Sequence, residues 1–239
     1  MARGRLRYPL RIRRNERRAE APAQSLAELL QQGCDRLGIV LPPGAAGRLL
    51  DYVALLAKWN RAYNLTSVRK PQDMIARHLL DSLAVLPHLA GDTLLDVGTG
   101  AGLPGLVLAI ASPQRQVVLL DSNGKKIRFL RQAVADLGVA NAEVVQERLE
   151  AYRPEHRFDT LISRAFSSLE VMLAQGSPLC RPEGRLLAMK GVYPVAEMDA
   201  LATKEQVVAV HRLEIPGLEA ERHLVVMQPL SDDENTGHH

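Results

Sequence analysis

The spacing of apolar and polar positions divides the chain into a helical part and a part in which strands and helices alternate. From Ser25 to about residue 90, apolar residues recur every three or four positions, which predicts amphipathic helices. The first helix begins with a capping box at Ser25–Glu28 and ends at Gly38. A second helix is predicted over 45–61, and a third begins at Pro71, a favourable first helical position.

After Gly91, short apolar runs alternate with longer amphipathic stretches. This alternation is typical of βαβ units, which form a parallel sheet with helices on both faces. The runs that we assign to parallel strands are 93–98, 116–121, 142–147, 158–163 and 184–190. The last two runs, 205–213 and 222–230, flank a turn-rich segment and predict an antiparallel hairpin. The predicted fold is therefore α/β, with a mostly parallel seven-stranded sheet.

Composition adds domain boundaries and a cellular context. The 239 residues are 46% hydrophobic and 24% charged, as in ordinary globular proteins. The two cysteines, Cys34 and Cys180, allow neither a disulfide framework nor a CxxC metal site, which fits a reducing cytoplasm. We predict no membrane span, no metal and a monomer. The predicted parts are a basic arm (1–24), a helical segment packed on the core (25–90), a core (91–230) and a polar tail (231–239).

Positive charge is concentrated in the arm. Residues 1–20 contain eight arginines and two glutamates, whereas the whole chain has a formal charge of +3, so the remainder is slightly acidic. An arginine-rich arm of this kind usually stays unfolded and binds phosphates. A targeting peptide, an upstream stretch read from a misassigned start codon, and a solvated tail remain alternatives for this segment.

A glycine-rich motif carries the strongest chemical signal. Residues 94–105 combine a strand, a turn containing Gly98, Gly100 and Gly102, and a helix start. Glycines let the backbone approach a ligand closely, and the first turn of a doubly wound sheet opens onto the ligand crevice. At the end of the next strand, Asp121 (with Ser122 beside it) is placed to accept hydrogen bonds from ribose hydroxyls. The motif predicts a site for a nucleoside cofactor.

Asp96 distinguishes between two such cofactors. The glycine spacing also fits the dinucleotide fingerprint, so NAD(P) must be considered. We expect Asp96 at the mouth of the turn, where it would repel a pyrophosphate by about 4 kcal/mol per charge pair at ~4 Å and an effective dielectric of about 20. The same carboxylate would attract the ammonium and sulfonium of S-adenosylmethionine. An NAD(P)-dependent oxidoreductase and a non-catalytic S-adenosylmethionine-binding regulatory module remain the alternatives.

The residues after the fourth strand indicate how an acceptor would be activated. Ser163-Arg164-Ala165-Phe166 contains neither an (Asp/Asn)-Pro-Pro-aromatic tetrapeptide nor a nucleophilic cysteine. Cys180 lies in a later connection between prolines and is predicted to be inert. An acceptor with an exposed lone pair and no proton to lose, such as guanine N7, would need only alignment behind the S–CH3 bond.

Several motifs together resemble one protein family. LLDVGTGAGLPG, LLDSNGKKIRFLRQ, ISRAFSSL and AMKG, with WNRAYNLTS and RHLLDSL upstream, are similar to motifs of the bacterial small-subunit ribosomal RNA guanine-N7 methyltransferases, also called glucose-inhibited division protein B. The resemblance covers about residues 26–228. It implies a class I (Rossmann-like) methyltransferase fold, S-adenosylmethionine as donor, and a single guanine in the decoding-region loop of 16S ribosomal RNA as acceptor.

The resemblance also implies roles for individual residues. Donor contacts are expected at Gly98, Leu103, Leu149, Glu150 and Arg164. Contacts near the donor or the RNA are expected at four further polar positions: Asn64, His78, Arg148 and Arg222. The sequence alone favours interpreting His78 as a hydrogen-bonded core histidine, with a local contact to Asp81, and the resemblance puts a site role on an equal footing. Cations that are candidates for an RNA-binding patch are Arg61, Arg69, Lys70, Arg77, Lys125, Lys126, Arg128 and Lys190.

Overall fold

The structure is a computed structural model that describes residues 24–164, 166, 168–202 and 206–231. The predicted basic arm and polar tail lie outside the described residues, apart from Gln24 and Ser231. The α-helices are α1 (Leu26–Leu37), α2 (Ala45–Tyr63), α3 (Pro71–Met74), α4 (Asp81–Leu83), α5 (Gly105–Ala111), α6 (Gly124–Asp136), α7 (Leu169–Gly176) and α8 (Val195–Ala200). A π-helix spans Ile75–Leu80, and two 3-10 turns span Leu86–His88 and Ser177–Leu179.

Seven strands form one sheet in the order β3-β2-β1-β4-β5-β7-β6. The first five strands are parallel, and β7 runs antiparallel to both β5 and β6. The strands are β1 (Thr93–Val97), β2 (Gln116–Leu120), β3 (Ala142–Val145), β4 (Phe158–Ser163), β5 (Cys180–Lys190), β6 (Val207–Arg212) and β7 (His223–Met227). The predicted fold class is confirmed.

Strand β5 is longer than its apolar run predicts. It begins at Cys180, which pairs with Phe158 of β4, and its register then shifts before regular pairing resumes at Arg185. Pro182 lies within this irregular stretch, and a bulge is a place where a strand tolerates proline. The irregular pairing explains why an apolar pattern alone locates only the second half of the strand. Cys180 is buried, and burial raises the pKa of its thiol to about 12, in keeping with the predicted inert role.

The third helix is interrupted, in contrast to the single helix that the pattern predicts. The backbone N–H of Asp81 donates to the carbonyl of Ala76, five residues earlier, which is the π-helical spacing. The wider turn changes which residues lie above one another. Asp81 and His78 therefore take different partners from those that an α-helix would offer, as described below.

The helical segment packs directly against the glycine-rich turn. Its first helix has the predicted capping box, with the Ser25 side chain and Glu28 bonded reciprocally. In α2, Tyr52 is fully buried and its hydroxyl donates to the carbonyl of Ala101 over 2.8 Å. Burial is the main reason why the pKa of Tyr52 is raised. None of the helices within the described ranges has the length and apolarity that crossing a bilayer requires.

Candidate functional site

The turn between β1 and α5 is shaped by three glycines with left-handed backbone. Their φ angles are 66° at Gly98, 64° at Gly100 and 92° at Gly102, a region that other residues adopt only with strain. Gly98 N–H donates to the carbonyl of Leu120 over 2.9 Å, which joins the turn to the end of β2. The turn thus leaves its backbone close to the carboxyl ends of the central strands, as predicted.

Asp96 lies beneath this turn and not at its mouth. The residue is fully buried, and its Oδ2 accepts hydrogen bonds from the Thr99 hydroxyl (2.6 Å) and the Gly105 N–H (2.7 Å). Its Oδ1 is buried without a hydrogen-bond partner in the described structure. Burial raises the pKa of Asp96 to about 7, although the two donors and the Arg164 charge act in the opposite direction. Asp96 therefore organises the turn and still has one acceptor atom free.

Asp121 connects the ends of β1 and β2. Its Oδ2 accepts from the Gly100 N–H (2.9 Å), and its Oδ1 accepts from the Asn123 N–H (2.8 Å). Lys126 lies 3.5 Å from the same carboxylate. The carboxylate is held in place by the backbone of two different connections, so its position is largely fixed before any ligand binds.

A cavity of about 340 Å³ opens beside Asp121, and we call it the Asp121 cavity. Six predicted site residues line it: Gly98, Asp121, Ser122, Arg148, Leu149 and Glu150. The other lining residues are Val97, Leu120, Glu147, Ser163, Phe166 and Gln175. Three carboxylates and one guanidinium face this space, so its electrostatic character favours a cation over a pyrophosphate.

A second cavity of about 350 Å³ lies on the other side of the end of β4, and we call it the Asp81 cavity. Ser163, the last residue of β4, lines the Asp121 cavity, and Arg164 lines the Asp81 cavity. Two residues adjacent in the chain therefore line the two spaces. The second cavity is lined by Thr66, Ser67, Val68, Arg77, His78, Asp81, Arg164, Met189, Lys190, Gly191 and Arg222.

Asp81 joins two arginines that are distant in sequence. Its Oδ2 accepts from Arg164 Nη1 over 3.1 Å and its Oδ1 from Arg222 Nε over 2.9 Å. The Asp81 side chain is 3% exposed, whereas the two arginines are 30% and 24% exposed. Burial raises the pKa of Asp81, and the two guanidiniums offset part of that effect. The carboxylate therefore orients two cations toward solvent and toward the cavity.

His78 is held as a neutral imidazole. Its Nδ1 lies 2.9 Å from the carbonyl of Arg77 and must donate to it, so Nε2 accepts from the Thr66 hydroxyl at 2.9 Å. Burial lowers the pKa of His78 to about 4. His78 therefore has features of both interpretations, the core histidine and the site residue. It is buried and hydrogen-bonded, and it also lines the Asp81 cavity.

Five residues that were predicted for the donor site or its surroundings line neither cavity: Asn64, Asp96, Gly100, Gly102 and Leu103. Asn64 ends α2, and its side-chain oxygen accepts from Arg69 over 2.9 Å. Gly100, Gly102 and Leu103 lie within the turn, and Asp96 of β1 lies buried beneath it. Arg164, expected at the donor, lines the Asp81 cavity, and Arg148, expected near the donor or the RNA, lines the Asp121 cavity.

The sequence does not single out Thr66 or Asp81 as site residues, and it indicates Arg77 only as a candidate for the RNA-binding patch. Asp81 was considered only as a local partner of His78, whereas the structure pairs it with Arg164 and Arg222. Arg77 and Asp81 belong to the motif RHLLDSL, which is one of those that resemble the family. Helical spacing alone does not show that Asp81 faces the end of β4. Across the described ranges, no three His, Cys, Asp or Glu side chains are grouped as metal ligands.

The chain is similar to one family over most of its length. The model of the GidB family, described as rRNA small subunit methyltransferase G, matches residues 46–225. The ribosomal RNA small subunit methyltransferase G of Pseudomonas paraeruginosa is 52% identical over 203 residues, which cover 84% of this chain and 95% of that protein. The protein of the same name from Xanthomonas euvesicatoria pv. vesicatoria is 54% identical over 183 residues, covering 77% and 86%.

Solved structures agree on the fold. A SAM-dependent methyltransferase from Aquifex aeolicus superposes with a TM-score of 0.53 at 20% identity and covers 73% of this chain and 98% of that one. At this level of identity the likeness concerns the arrangement of strands and helices. It supports the α/β sheet that the alternation of strands and helices predicts and the Rossmann-like class I fold that the resemblance implies.

Proposed function

Because this chain belongs to the rRNA small subunit methyltransferase G family, we propose that it methylates N7 of a single guanine in the decoding-region loop of 16S ribosomal RNA. Family and fold together make it an S-adenosylmethionine-dependent methyltransferase of small-subunit ribosomal RNA. The proposal adds the acceptor atom, its place in the RNA, and in-line transfer without a general base. We also propose that the protein acts in the cytoplasm as a monomer.

The Asp121 cavity suits the methyl donor. S-adenosylmethionine supplies an electrophilic methyl group on a sulfonium, together with an ammonium. Asp121, Glu147 and Glu150 give the cavity an excess of negative charge. Asp96 precedes the lining residue Val97 in the sequence, and its Oδ1 has no hydrogen-bond partner in the described structure. The carboxylate at Asp121 also lies at the end of β2, where ribose hydroxyls bind in folds of this class.

The observation that carries the proposal is that adjacent residues at the end of β4, Ser163 and Arg164, line the two cavities. A donor in one cavity and a guanine in the other would bring a lone pair behind the methyl carbon. Alignment of this kind is worth up to about 7–11 kcal/mol of the barrier. Arginine side chains donate hydrogen bonds to guanine O6 and to backbone phosphates. In this arrangement Arg164 and Arg222, which Asp81 holds, contact O6 or the phosphates and leave the N7 lone pair free to attack the methyl group.

The titratable groups in the Asp81 cavity support a mechanism without a protein base. His78 uses both ring nitrogens in hydrogen bonds, and Asp81 uses both oxygens. Lys190 donates to Glu197 over 2.8 Å. Guanine N7 carries no proton, so the methyl–nitrogen bond forms as the sulfur–methyl bond breaks and no proton is transferred. The products are 7-methylguanine, which bears the positive charge, and the neutral thioether.

Radiolabelled donor and small subunits lacking the modification test this proposal. The labelled methyl group should appear on one nucleotide, in the decoding-region loop. Borohydride reduction followed by aniline should cleave the labelled RNA at that guanine, because the reduced 7-methylguanine is lost from the ribose and aniline then promotes β-elimination. Label at another atom or another site contradicts the proposal. Calorimetry with S-adenosylmethionine against NAD(P)H separates it from the oxidoreductase alternative, and donor binding without transfer would indicate the regulatory module.

The single-turnover rate at saturating donor should be independent of pH between about 6 and 9. The physical reason is that His78, whose pKa is about 4, stays neutral across this range. Single-turnover rates with modification-free subunits measure the rate, and NMR titration of the histidine rings measures the ionisation of His78. A limb with a pKa in this window, without a loss of substrate binding, would show that a protein base takes part.

A further inference from the structure

The segment that follows β5 exposes an unusual amount of apolar surface. Val192 is 70% exposed, Tyr193 47% and Val195 57%. Among the described residues, six large hydrophobic side chains are exposed, and these three of them lie within the four residues 192–195. Exposed apolar groups scattered singly need no explanation, but a cluster of them indicates an interaction site. We call residues 192–195 the Tyr193 surface.

This surface adjoins the Asp81 cavity. Lys190 and Gly191, directly before it, line that cavity together with Arg222. A Cβ placed on Gly191 would lie 4.0 Å from Arg222 Nη1, so the chain passes the arginine closely. Lys190 is also paired with His223 across β5 and β7. A chain that leaves the cavity past Lys190 and Gly191 would pass near Tyr193.

The Tyr193 surface is held in place by buried neighbours. The rings of Tyr193 and the buried His223 pack edge to face, with centroids 5.4 Å apart and planes at 86°. Pro194 is buried between the two exposed side chains. Glu197 of α8 accepts from Lys190 Nζ (2.8 Å) and from the N–H of Leu169 (2.9 Å), which fixes the helix that follows. A ring positioned in this way loses little entropy on binding.

The charge next to the surface selects the partner. Arg77, Arg164, Lys190 and Arg222 line the adjoining cavity, and Asp81 is the one carboxylate among its lining residues. Cationic groups that attract phosphates, beside an aromatic ring that stacks on bases, are the combination by which proteins bind single-stranded RNA. A stable protein interface engages about 20–30 residues on each side, far more than three exposed apolar side chains.

We propose that the Tyr193 surface binds the nucleotide next to the methylated guanine, with the Tyr193 ring stacked on its base. The inference rests on the proposed function, because it assumes that the guanine occupies the Asp81 cavity. The proposed contact positions the RNA strand that carries the methylated guanine, and it leaves the methyl-transfer step itself unchanged. Val192 and Val195 cover the edges of the stacked base.

Substitutions at Tyr193 test the stacking contact. With saturating donor and modification-free small subunits, Tyr193→Ala should raise KM for the subunit about tenfold, the size expected for loss of one stacked base, and leave donor affinity unchanged. Tyr193→Trp should restore KM because indole also stacks. Val208→Ala, which removes an apolar group 58% exposed on β6, is the matched control and should have no effect.

A cross-linking experiment identifies the partner. The full chain carrying p-benzoylphenylalanine at position 193 is bound to subunits, irradiated and mapped. A cross-link to a 16S nucleotide adjacent to the methylated guanine supports the inference. A cross-link to a ribosomal protein, no RNA cross-link, or equal KM values for Tyr193→Ala and wild type overturns it. A wild-type protein that methylates no small-subunit RNA overturns the proposed function instead, so the two failures are distinguishable.

Discussion

Replacing Asp96 with alanine is expected to weaken S-adenosylmethionine binding about a hundredfold. The substitution leaves the Thr99 hydroxyl and the Gly105 N–H without the acceptor that now binds both. Each orphaned buried donor costs about 1–3 kcal/mol, and the turn that carries Gly98 and Gly100 loses its internal support. Isothermal titration calorimetry with the donor measures the effect, and circular dichroism verifies that the variant is folded.

The same residue should make donor binding depend on pH. Because burial raises the pKa of Asp96 to about 7, the carboxyl is largely protonated at pH 5.5 and half ionised near pH 7. A cationic ligand binds the ionised form better, so the Kd for S-adenosylmethionine should fall about tenfold from pH 5.5 to 7. The amino group of the donor stays protonated in this pH range, because the ordinary pKa of an α-amino group is about 7.7–8.0. Asp96→Asn should bind weakly and show no such slope.

Asp159→Ala is the matched control for these measurements. Asp159 also accepts several hydrogen bonds, from the N–H of Asp92, the N–H and hydroxyl of Thr93, and Arg181, but it lies at the opposite end of the sheet. Its removal should lower thermal stability without a specific effect on donor affinity. Equal donor affinities in Asp96→Ala and wild type would refute the role that we give to the carboxylate beneath the turn.

Asp81→Ala is expected to reduce methyl transfer to small subunits at least about tenfold, with a smaller change in donor affinity. Removing the carboxylate separates Arg164 from Arg222 and leaves two partly buried guanidiniums in mutual repulsion. A hydrogen bond to a charged group contributes about 1.5–3 kcal/mol, so the loss of two such bonds changes the orientation of both arginines. Single-turnover rates and RNA affinity, measured together, separate transfer from binding.

The control for Asp81 lies on the same helical stretch. Asp73 is an exposed acid two turns earlier, and Asp73→Ala removes the same charge without touching the Asp81 cavity. Thermal unfolding of both variants shows how much of any loss is due to stability. If Asp81→Ala transfers methyl groups at the wild-type rate, the two arginines do not need their shared partner and the acceptor site has been placed wrongly.

Local signals in the sequence predict the fold and the glycine turn beside which we propose that the donor binds. The glycine turn and the acid at the end of β2 are each contained in a short segment, and their spacing follows from the βαβ connection. Gly98, Asp121 and Ser122 from these segments line the Asp121 cavity, and so do Arg148, Leu149 and Glu150, which only the resemblance indicated. The hairpin at the end of the sheet was likewise predicted from two apolar runs, and β6 and β7 form it.

The acceptor half depends on contacts that no local pattern contains. Asp81 meets Arg164 and Arg222 across 83 and 141 residues. The π-helical turn before it also changes the helical phase, so i, i+3 reasoning led to a contact with His78 instead. Because Asp96 lies two residues before the first glycine, the sequence predicts its side chain at the mouth of the turn. The side chain is buried instead because the turn folds over it, and residue spacing does not show this.

The hydrogen bond from Tyr52 to the Ala101 carbonyl bears on how such an enzyme can be re-engineered. Since a buried phenol from the helical segment holds the glycine turn, the helical segment and the core cannot be exchanged independently of each other. A chimera that borrows another protein's helices to change which RNA is recognised would also lose the phenol, and its donor turn would loosen. Retargeting should therefore begin with the rim of the Asp81 cavity and leave α2 intact.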